Sequence, residues 1–332
     1  MAELGDTALT FADWAKRKDP DGNTAEIVEL LSDTNPILED AVVLEGNLPT
    51  GHRTTMRSGL PTVTWRKFNQ GVQPSKSTTV QVDDQAGMLE AYAETDKSIA
   101  DLNGNTAEFR LSEERPFLES MNQEVAATLF YGDTSLAPNE FMGLAPRYSS
   151  LSAENGGNIV DGGGTGSDNT SIWMIIWGKE SCHLFFPKGQ KAGLNHDDKG
   201  QETLEDSNGN KYEGYRSHYK WDVGLSLRDW RQVVRIANID VSDLATAGES
   251  GYSGPDLPLL MITGYNKLEN PMMGKLIVYC NRTVKAALDK IASTKSNVNL
   301  SISEFEGKPS TSFYGAPIHV VDAILDTETQ VT

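Results

Sequence analysis

The apolar positions of the chain recur with two periods, and each period predicts a different kind of element. A helical period runs through residues 105–131 and stops at Gly132, a residue type that often follows a helix C-terminus. Ser112 is a good candidate for the N-cap of this helix. About 20 helical residues would span about 30 Å, so we predict a long strut. The positions that carry this period are Leu118, Met121, Val125 and Leu129.

Residues 46–85 have the alternation of a long β-hairpin. Val63, Trp65 and Phe68 indicate its first strand, and "NQGVQP" at 69–74 has the composition of a turn. A two-stranded ribbon is at best marginally stable alone in water, so we expect this hairpin to lie on another surface. The second strand is indicated by Thr78, Val80 and Val82, which alternate with polar residues.

Residues 133–315 mix strand and helix signals without an internal repeat. Asn208-Gly209 predicts a tight hairpin turn, while Pro258 and Asn281 mark the starts of two helices. The strand signals are "SIWMIIW" at 171–177, the clean alternation at 219–227, "KLIVYC" at 275–280 and "NLSISEF" at 299–305.

Residues 1–45 are predicted to form an extended arm with short helices. Phe11 and Trp14 accompany a Thr-x-x-Asp capping pattern, and Ile27 and Leu30 lie on one face of a second short helix. Helices of this length are unstable by themselves, so we expect their apolar residues to need a partner surface.

The charged residues are distributed unevenly along the chain. The 332 residues include 47 acidic and 29 basic ones, a formal net charge of −18, which disfavours a protein that grips nucleic acid by its general surface. Residues 46–82 nevertheless contain no Asp or Glu. This stretch carries Arg53, Arg57, Arg66, Lys67 and Lys76.

Candidate chemistry is sparse. Cys182 and Cys280 are the only cysteines, and the five histidines lack the spacing of a metal site. The glycine-rich stretch at 161–168 is expected to be a flexible loop, and Asp206 is expected to belong to a hairpin tip. We therefore predict no catalytic, cofactor-binding or metal-binding residue, and no cofactor. No apolar run suits a membrane span, and the polar N-terminus lacks the apolar core of a signal peptide.

The order of these elements resembles the major capsid proteins of tailed bacteriophages of the Hong Kong 97 type, and individual segments resemble those of short-tailed phages. The resemblance covers most of the chain, and its specificity comes from the number and order of the segments. They are "ADWAKRKDPDG", "ILEDAVVLEGNLPTGHRTT", "VTWRKFNQGVQPSKSTTVQVDDQ", "NQEVAATLFYGD", "FMGLAPRYSSLS", "GTGSDNTSIWMIIWG" and "SLRDWRQVVRIANID".

The resemblance implies an α+β capsid fold with five parts. These are an N-terminal arm (1–46), an extended hairpin called the E-loop (47–85), a peripheral domain with the long spine helix (86–139), a mixed α/β axial domain (140–300), and a return to the peripheral sheet (301–332).

It also implies a structural protein and not an enzyme. Such a protein self-assembles into hexamers and pentamers, which form an icosahedral shell around double-stranded DNA in the virion. It is synthesised and assembled in the cytoplasm of the host bacterium. Scaffolding, portal and decoration proteins are its further candidate partners, the contact with DNA is weak and non-specific, and no membrane is involved. The residue patterns alone leave two alternatives open: a β-rich cytoplasmic hydrolase, and a nucleic-acid-binding protein that uses the basic hairpin.

The site residues of such a protein are interface residues. In the E-loop, the expected intersubunit contacts are Arg53, Arg57, Trp65, Arg66, Lys67 and Lys76. In the arm, they are Phe11, Trp14, Ile27 and Leu30. The candidates for facing the DNA are Lys16, Arg17 and Lys18.

Overall fold

The computed structural model describes residues 35–102, 104, 106–206, 208–247, 252, 254–294, 300–305 and 308–332. In this part of the chain the helices are α1 (Ile37–Asp40), α2 (Lys97–Ala100), α3 (Thr106–Tyr131), α4 (Leu257–Lys267) and α5 (Arg282–Thr294). Among these helices, none has both the length and the apolar character needed to cross a bilayer.

The described strands are numbered in chain order. They are β1 (Val43–Glu45), β2 (Gly51–Gly59), β3 (Thr78–Gln85), β4 (Gly87–Asp96), β5 (Ile159–Asp161), β6 (Asn169–Trp177), β7 (Cys182–Phe186), β8 (Leu194–Glu205), β9 (Lys211–Leu227), β10 (Val233–Asp240), β11 (Lys275–Cys280), β12 (Leu300–Phe305), β13 (Lys308–Phe313) and β14 (Ala316–Val320).

Twelve of these strands form one branched sheet in which β9 joins two regions. The first part of β9 pairs with β4 on one side and with β8 on the other. Its last residues pair with β7, which leads to β6 and to the mixed region around it. β6 is flanked there by β10 and β11, and β11 pairs in parallel with β14. β2 and β3 form a separate two-stranded sheet.

The two faces of β6 are the centre of the core. All nine of its residues are buried, and successive side chains of a strand point to opposite faces. Trp173 and its alternate neighbours pack with the C-terminal part of α3 and with Tyr148. Met174 and its alternate neighbours pack with apolar residues of α4 and α5. The continuous apolar run in the sequence therefore reflects burial on both sides.

The long helix α3 lies against the sheet formed by β4, β9 and β8. Met121 packs with Ala93 and Tyr219, and Glu114 accepts hydrogen bonds from Ser217 Oγ (2.6 Å) and from the Tyr219 hydroxyl (3.0 Å). The predicted long helix is thus confirmed, with bounds within one residue of those expected.

The predicted N-cap of this helix is wrong. Ser112 lies within α3, where its hydroxyl donates to the carbonyl of Phe109 at 2.8 Å. A serine that bonds back to the preceding turn in this way is compatible with a helix interior. The helix therefore begins earlier than the capping pattern suggested.

The predicted hairpin at 46–85 is confirmed only in the part of each strand that lies nearest to the body. β2 and β3 pair antiparallel, but residues 60–77 form no strand, so the strand predicted at Val63, Trp65 and Phe68 is wrong. Pro61 and Pro74 lack the N–H that a strand ladder requires. The register also shifts between Arg57 and Gly59, just before the pairing ends.

Turn and cap chemistry is confirmed elsewhere. Gly209 has a φ of +80° in the turn between β8 and β9, where Asp206 accepts the backbone N–H groups of Asn208 and Asn210. Asn281 Oδ1 accepts the backbone N–H of Val284 at 2.9 Å and caps α5. Asp206 therefore belongs to a hairpin tip, as expected.

The C-terminal segment lies along the region of the sheet around β6. β14 joins the edge of β11, and the residues after it reach the end of α3, where the Tyr131 hydroxyl donates to Glu328 at 2.5 Å. Glu328 also accepts from Arg235 Nη2 at 3.0 Å, and each side chain of this pair is 5% exposed. The buried pair fixes the last residues of the chain to β10.

We predict that Glu328→Ala strongly destabilises the isolated subunit. The substitution leaves the Arg235 guanidinium buried without its carboxylate, and such a loss costs about 3–5 kcal/mol. Urea unfolding followed by circular dichroism measures the change.

The matched control is Asp83→Ala, which removes the exposed partner of Arg53. Exposed ion pairs contribute little, so its midpoint should stay close to that of the wild type. Equal destabilisation by both substitutions would contradict the role given to the buried pair.

Candidate assembly surface

The ribbon, defined as residues 51–85, consists of β2, β3 and the segment between them. Cross-strand pairing runs from Gly51 with Gln85 to Gly59 with Thr78. Beyond it, Ser75 Oγ donates to the carbonyl of Thr62 at 2.8 Å, and Asn69 takes a left-handed conformation with φ of +62°. These local contacts keep the distal segment folded back on itself although no strand forms there.

The distal segment of the ribbon holds large apolar side chains in solvent. Trp65 and Phe68 are 104% and 96% exposed, and Val63 and Leu60 are 87% and 82% exposed. Isolated exposed apolar residues are ordinary, but a cluster of this kind marks a surface that becomes covered on binding. The sequence placed Trp65 at a candidate interface, and the structure puts it where a partner has free access.

Arg53 has its carboxylate partner within the ribbon. Its Nε and Nη2 donate to the two oxygens of Asp83 at 2.6 and 2.7 Å. This hydrogen bonding lowers the pKa of Asp83. The acid-free window in the sequence ends at Val82, one residue before this partner. A contact between Arg53 and another subunit stays a prediction.

The other four predicted cations of the ribbon are exposed. Within the part of the chain that the structure describes, none of their side chains forms an ion pair or a hydrogen bond. Most arginines of the body, in contrast, hold a carboxylate of the same chain. The ribbon therefore carries four uncompensated positive charges, at Arg57, Arg66, Lys67 and Lys76.

The root of the ribbon is fastened to the body by Arg147. Its guanidinium donates to Asp84 Oδ1 at 2.9 Å and to the carbonyls of Gly143, Met142 and Leu225. A Cβ on Gly51 would come within 2.2 Å of the Asp84 carbonyl oxygen, so only glycine fits the close approach of the two strands. The sequence did not single out Arg147 or Asp84, because their pairing joins positions far apart in the chain.

The outer sheet face, formed by β4, β9 and β8 on the side away from α3, is rich in carboxylates. Glu94 pairs with Arg216 at 2.7 Å, and Glu90 lies 3.5 Å from Lys220 Nζ. Met88 and Tyr92 of the same face are 69% and 51% exposed. Arg216 and Lys220 of this face already pair with its carboxylates, and Arg216 also lies over the Tyr92 ring, so the feature shared with the ribbon is the set of exposed apolar side chains. Further acids on β8 are Asp197 and Glu202.

The arm joins the body through α1, whose Asp40 is buried. Asp40 accepts from Lys275 Nζ at 2.8 Å and from the Tyr279 hydroxyl at 3.1 Å, and it lies 2.5 Å from His319 Nδ1. The predicted arm residues lie outside the described residues. They are Phe11, Trp14, Lys16, Arg17, Lys18, Ile27 and Leu30.

The described part of the body offers few reactive groups. Burial raises the pKa of the Cys182 and Cys280 thiols to about 12, so both stay protonated near neutral pH. In the described residues no group of three or more His, Cys, Asp or Glu side chains is arranged to hold a metal ion.

The family described as Major capsid protein GP7 matches residues 19–332 of the chain. The solved structure of bacteriophage Epsilon15, derived from cryo-electron microscopy, is 41% identical to it. That match covers 100% of both chains with a TM-score of 0.78. Comparison with curated proteins gives no match.

More distant solved structures are also similar to the chain. The holo-SrpI encapsulin complex from Synechococcus elongatus PCC 7942 is 11% identical over 70% of this chain and 97% of that one, with a TM-score of 0.46. The capsid of bacteriophage JBD30 is 10% identical over 78% of this chain and 83% of that one, with a TM-score of 0.45. At this distance neither structure positions individual residues of the chain.

Proposed function

Because the chain belongs to the family of the major capsid protein GP7, we propose that it forms the icosahedral shell of a tailed bacteriophage from hexamers and pentamers that enclose double-stranded DNA. The protein is a major capsid protein with a fold of the Hong Kong 97 type, it self-assembles into a capsid, and it is not an enzyme. The predicted family and fold are thus confirmed, and the hydrolase alternative is wrong.

The observation that carries the proposal is the state of the ribbon in the isolated subunit. Among the described residues, four cations without partners and four exposed apolar side chains lie on the ribbon, most of them in the segment 60–77 that forms no strand. A neighbouring subunit that covers them removes apolar area from water, at about 25 cal/mol per Å². It also supplies carboxylates for the cations. The ribbon is accordingly the E-loop of the family, and it is completed by a second copy of the chain.

The outer sheet face is the proposed acceptor on that second copy. Its carboxylates match the cations of the ribbon, and the exposed Met88 and Tyr92 suit Trp65 and Phe68. Complementary charge of this kind mainly sets the orientation and the rate of association, whereas the apolar contact contributes more of the affinity. The charges therefore set the relative orientation of the two subunits, and the aromatic side chains contribute more of the affinity between them.

The remaining assignments extend the same proposal. The arm at 1–46 contacts neighbouring subunits through Phe11, Trp14, Ile27 and Leu30, and Lys16, Arg17 and Lys18 face the DNA. The peripheral domain takes 86–139, the axial domain takes 140–300, and the chain returns at 301–332. Assembly occurs in the cytoplasm of the host bacterium, with scaffolding, portal and decoration proteins as partners. The family membership and the ribbon support these assignments.

We predict that reversing Arg66 and Lys67 to Glu blocks assembly. Like charges brought together at an interface cost several kcal/mol, and each 1.4 kcal/mol corresponds to about a tenfold change in an equilibrium constant. Sedimentation and electron microscopy should show at least about a tenfold lower yield of shells. The melting temperature of the isolated subunit should be unchanged, because both side chains are exposed.

The control for this experiment is the reversal of Lys188 and Lys191 to Glu. Both residues are exposed and lie outside the ribbon, and they change the net charge by the same amount. Normal yields from the ribbon variant would contradict the proposed role. Tight, salt-sensitive binding of DNA by the free wild-type subunit would instead favour the nucleic-acid alternative.

We predict that Phe68 of one subunit meets Met88 of the next. A subunit with Phe68→Cys and Met88→Cys, assembled and treated with a short bismaleimide, should give a ladder of linked subunits on denaturing gels. The native cysteines are buried and should not react in the folded state.

The matched control replaces Met88→Cys by Leu136→Cys, since Leu136 is 85% exposed and lies in the loop after α3, not on β4, β8 or β9. This variant should stay monomeric on the gel. If the control gives a ladder and the first variant gives none, Phe68 does not meet Met88 and the acceptor surface lies elsewhere.

A further inference from the structure

Two histidines meet where the ribbon joins the body. His52 of β2 and His183 of β7 pack edge to face, with 5.3 Å between ring centroids and an interplanar angle of 87°. His52 also lies 5.7 Å from the Phe185 ring. The direction in which β2 leaves the body therefore depends on how these rings pack.

The surroundings of His183 suit only its neutral form. The residue is 1% exposed, and neither ring nitrogen has a hydrogen-bond partner among the described residues. A protonated imidazole needs acceptors for two N–H groups. Burial, His52 and Arg228 lower the pKa of His183 to about 4. The Gly178 carbonyl opposes this shift without reaching hydrogen-bonding geometry.

The charged groups around the pair favour the neutral state as well. Burial and then Arg228 lower the pKa of His52, and Asp84 on β3 opposes them. Asp84 is already engaged, because its Oδ1 accepts from Arg147 at 2.9 Å. Among the described residues, Arg228 has the exposed Glu180 as its carboxylate partner, at 3.3 Å. Ser226, which lies opposite His183 on β9, adds no charge.

The ribbon has room to move about this root. A cleft of about 820 Å³ separates it from body loops that include Glu154, Glu180 and Trp230. The ribbon wall of the cleft is formed by 54–60 and Val80. The cleft leaves open space on this side of the ribbon, into which the ribbon can swing.

We propose that His52 and His183 form a proton-sensitive hinge, which holds the ribbon at one angle while both rings are neutral and releases it when they are protonated. An exposed histidine titrates near about pH 6.5. The released state therefore binds protons more tightly than the attached state. The ribbon is fully attached above about pH 6.5, and the attachment weakens as the pH falls towards about 4. The effect on shell assembly rests on the function proposed above, whereas the hinge is a property of the isolated subunit.

The test measures the position of the ribbon in the unassembled subunit. Spin labels on Gln73→Cys in the ribbon and Glu154→Cys across the cleft report their separation by pulsed electron paramagnetic resonance, and the native thiols are buried. Between about pH 8 and about pH 4.5 we expect the distance distribution to shift or broaden, with a midpoint between about 4 and about 6.5.

His183→Phe keeps an aromatic ring at the root and removes one of the two charges, so the shift between the two pH values should be smaller than in the wild type. The matched control is His196→Phe. His196 lies in β8, and its ring stacks on Tyr219 with 4.8 Å between the ring centroids. This variant should respond to pH as the wild type does. If His183→Phe does not fold, His52→Gln removes the second titrating ring and should reduce the shift.

Three results would overturn the proposal. They are an unchanged distance in the wild type, an undiminished shift in the folded histidine variants, and a shift that occurs only together with loss of the far-ultraviolet circular dichroism signal. None of them depends on assembly. The function proposed above fails instead if the ribbon charge reversal at Arg66 and Lys67 leaves shell yields intact.

Discussion

Trp65 and Phe68 lie in water because a narrow ribbon, which forms no strand at these positions, cannot enclose an apolar side chain. This constraint makes the ribbon dependent on a surface that its own chain does not provide. The body accordingly holds the ribbon at its root, where Arg147 binds Asp84 and three backbone carbonyls. The ribbon is thus firmly attached at one end and unsatisfied at the other, which is the condition for completion by a second subunit.

The body can hold such an extension because its own elements are tied across long distances. β9 extends from the sheet under α3 into the region around β6, so a single strand connects the two regions. The C-terminal segment is held to β10, within the region around β6, by the buried pair of Arg235 and Glu328. The root of the ribbon, where Arg147 donates to the Leu225 carbonyl of β9, is therefore tied to the strand that joins both regions.

Local chemistry explains which elements the sequence predicts. The periodicity of α3, the apolar run of β6 and the Asn208-Gly209 turn depend on neighbours in the chain, so they could be read directly. Non-local pairing could not. The segment at Val63 looks like a strand, but prolines and the missing partner keep it irregular. Arg53 looks free until the register places Asp83 opposite it. The sequence located the candidate surface in the ribbon, but the proposed acceptor belongs to another copy of the chain.

The orientation of the ribbon matters because all subunits carry a large net charge of the same sign. Subunits with a charge of −18 repel one another, although salt screens this repulsion beyond about 8 Å at physiological ionic strength. Electrostatic attraction must therefore come from cations that make close contact. In the proposed contact these are the distal cations of the ribbon, since among the described residues Asp83 and Asp84 pair with Arg53 and Arg147 near its root. Close contact in turn requires the ribbon to leave the body at the correct angle. The packing of two neutral histidines at the root is consequently coupled to whether like-charged subunits can associate.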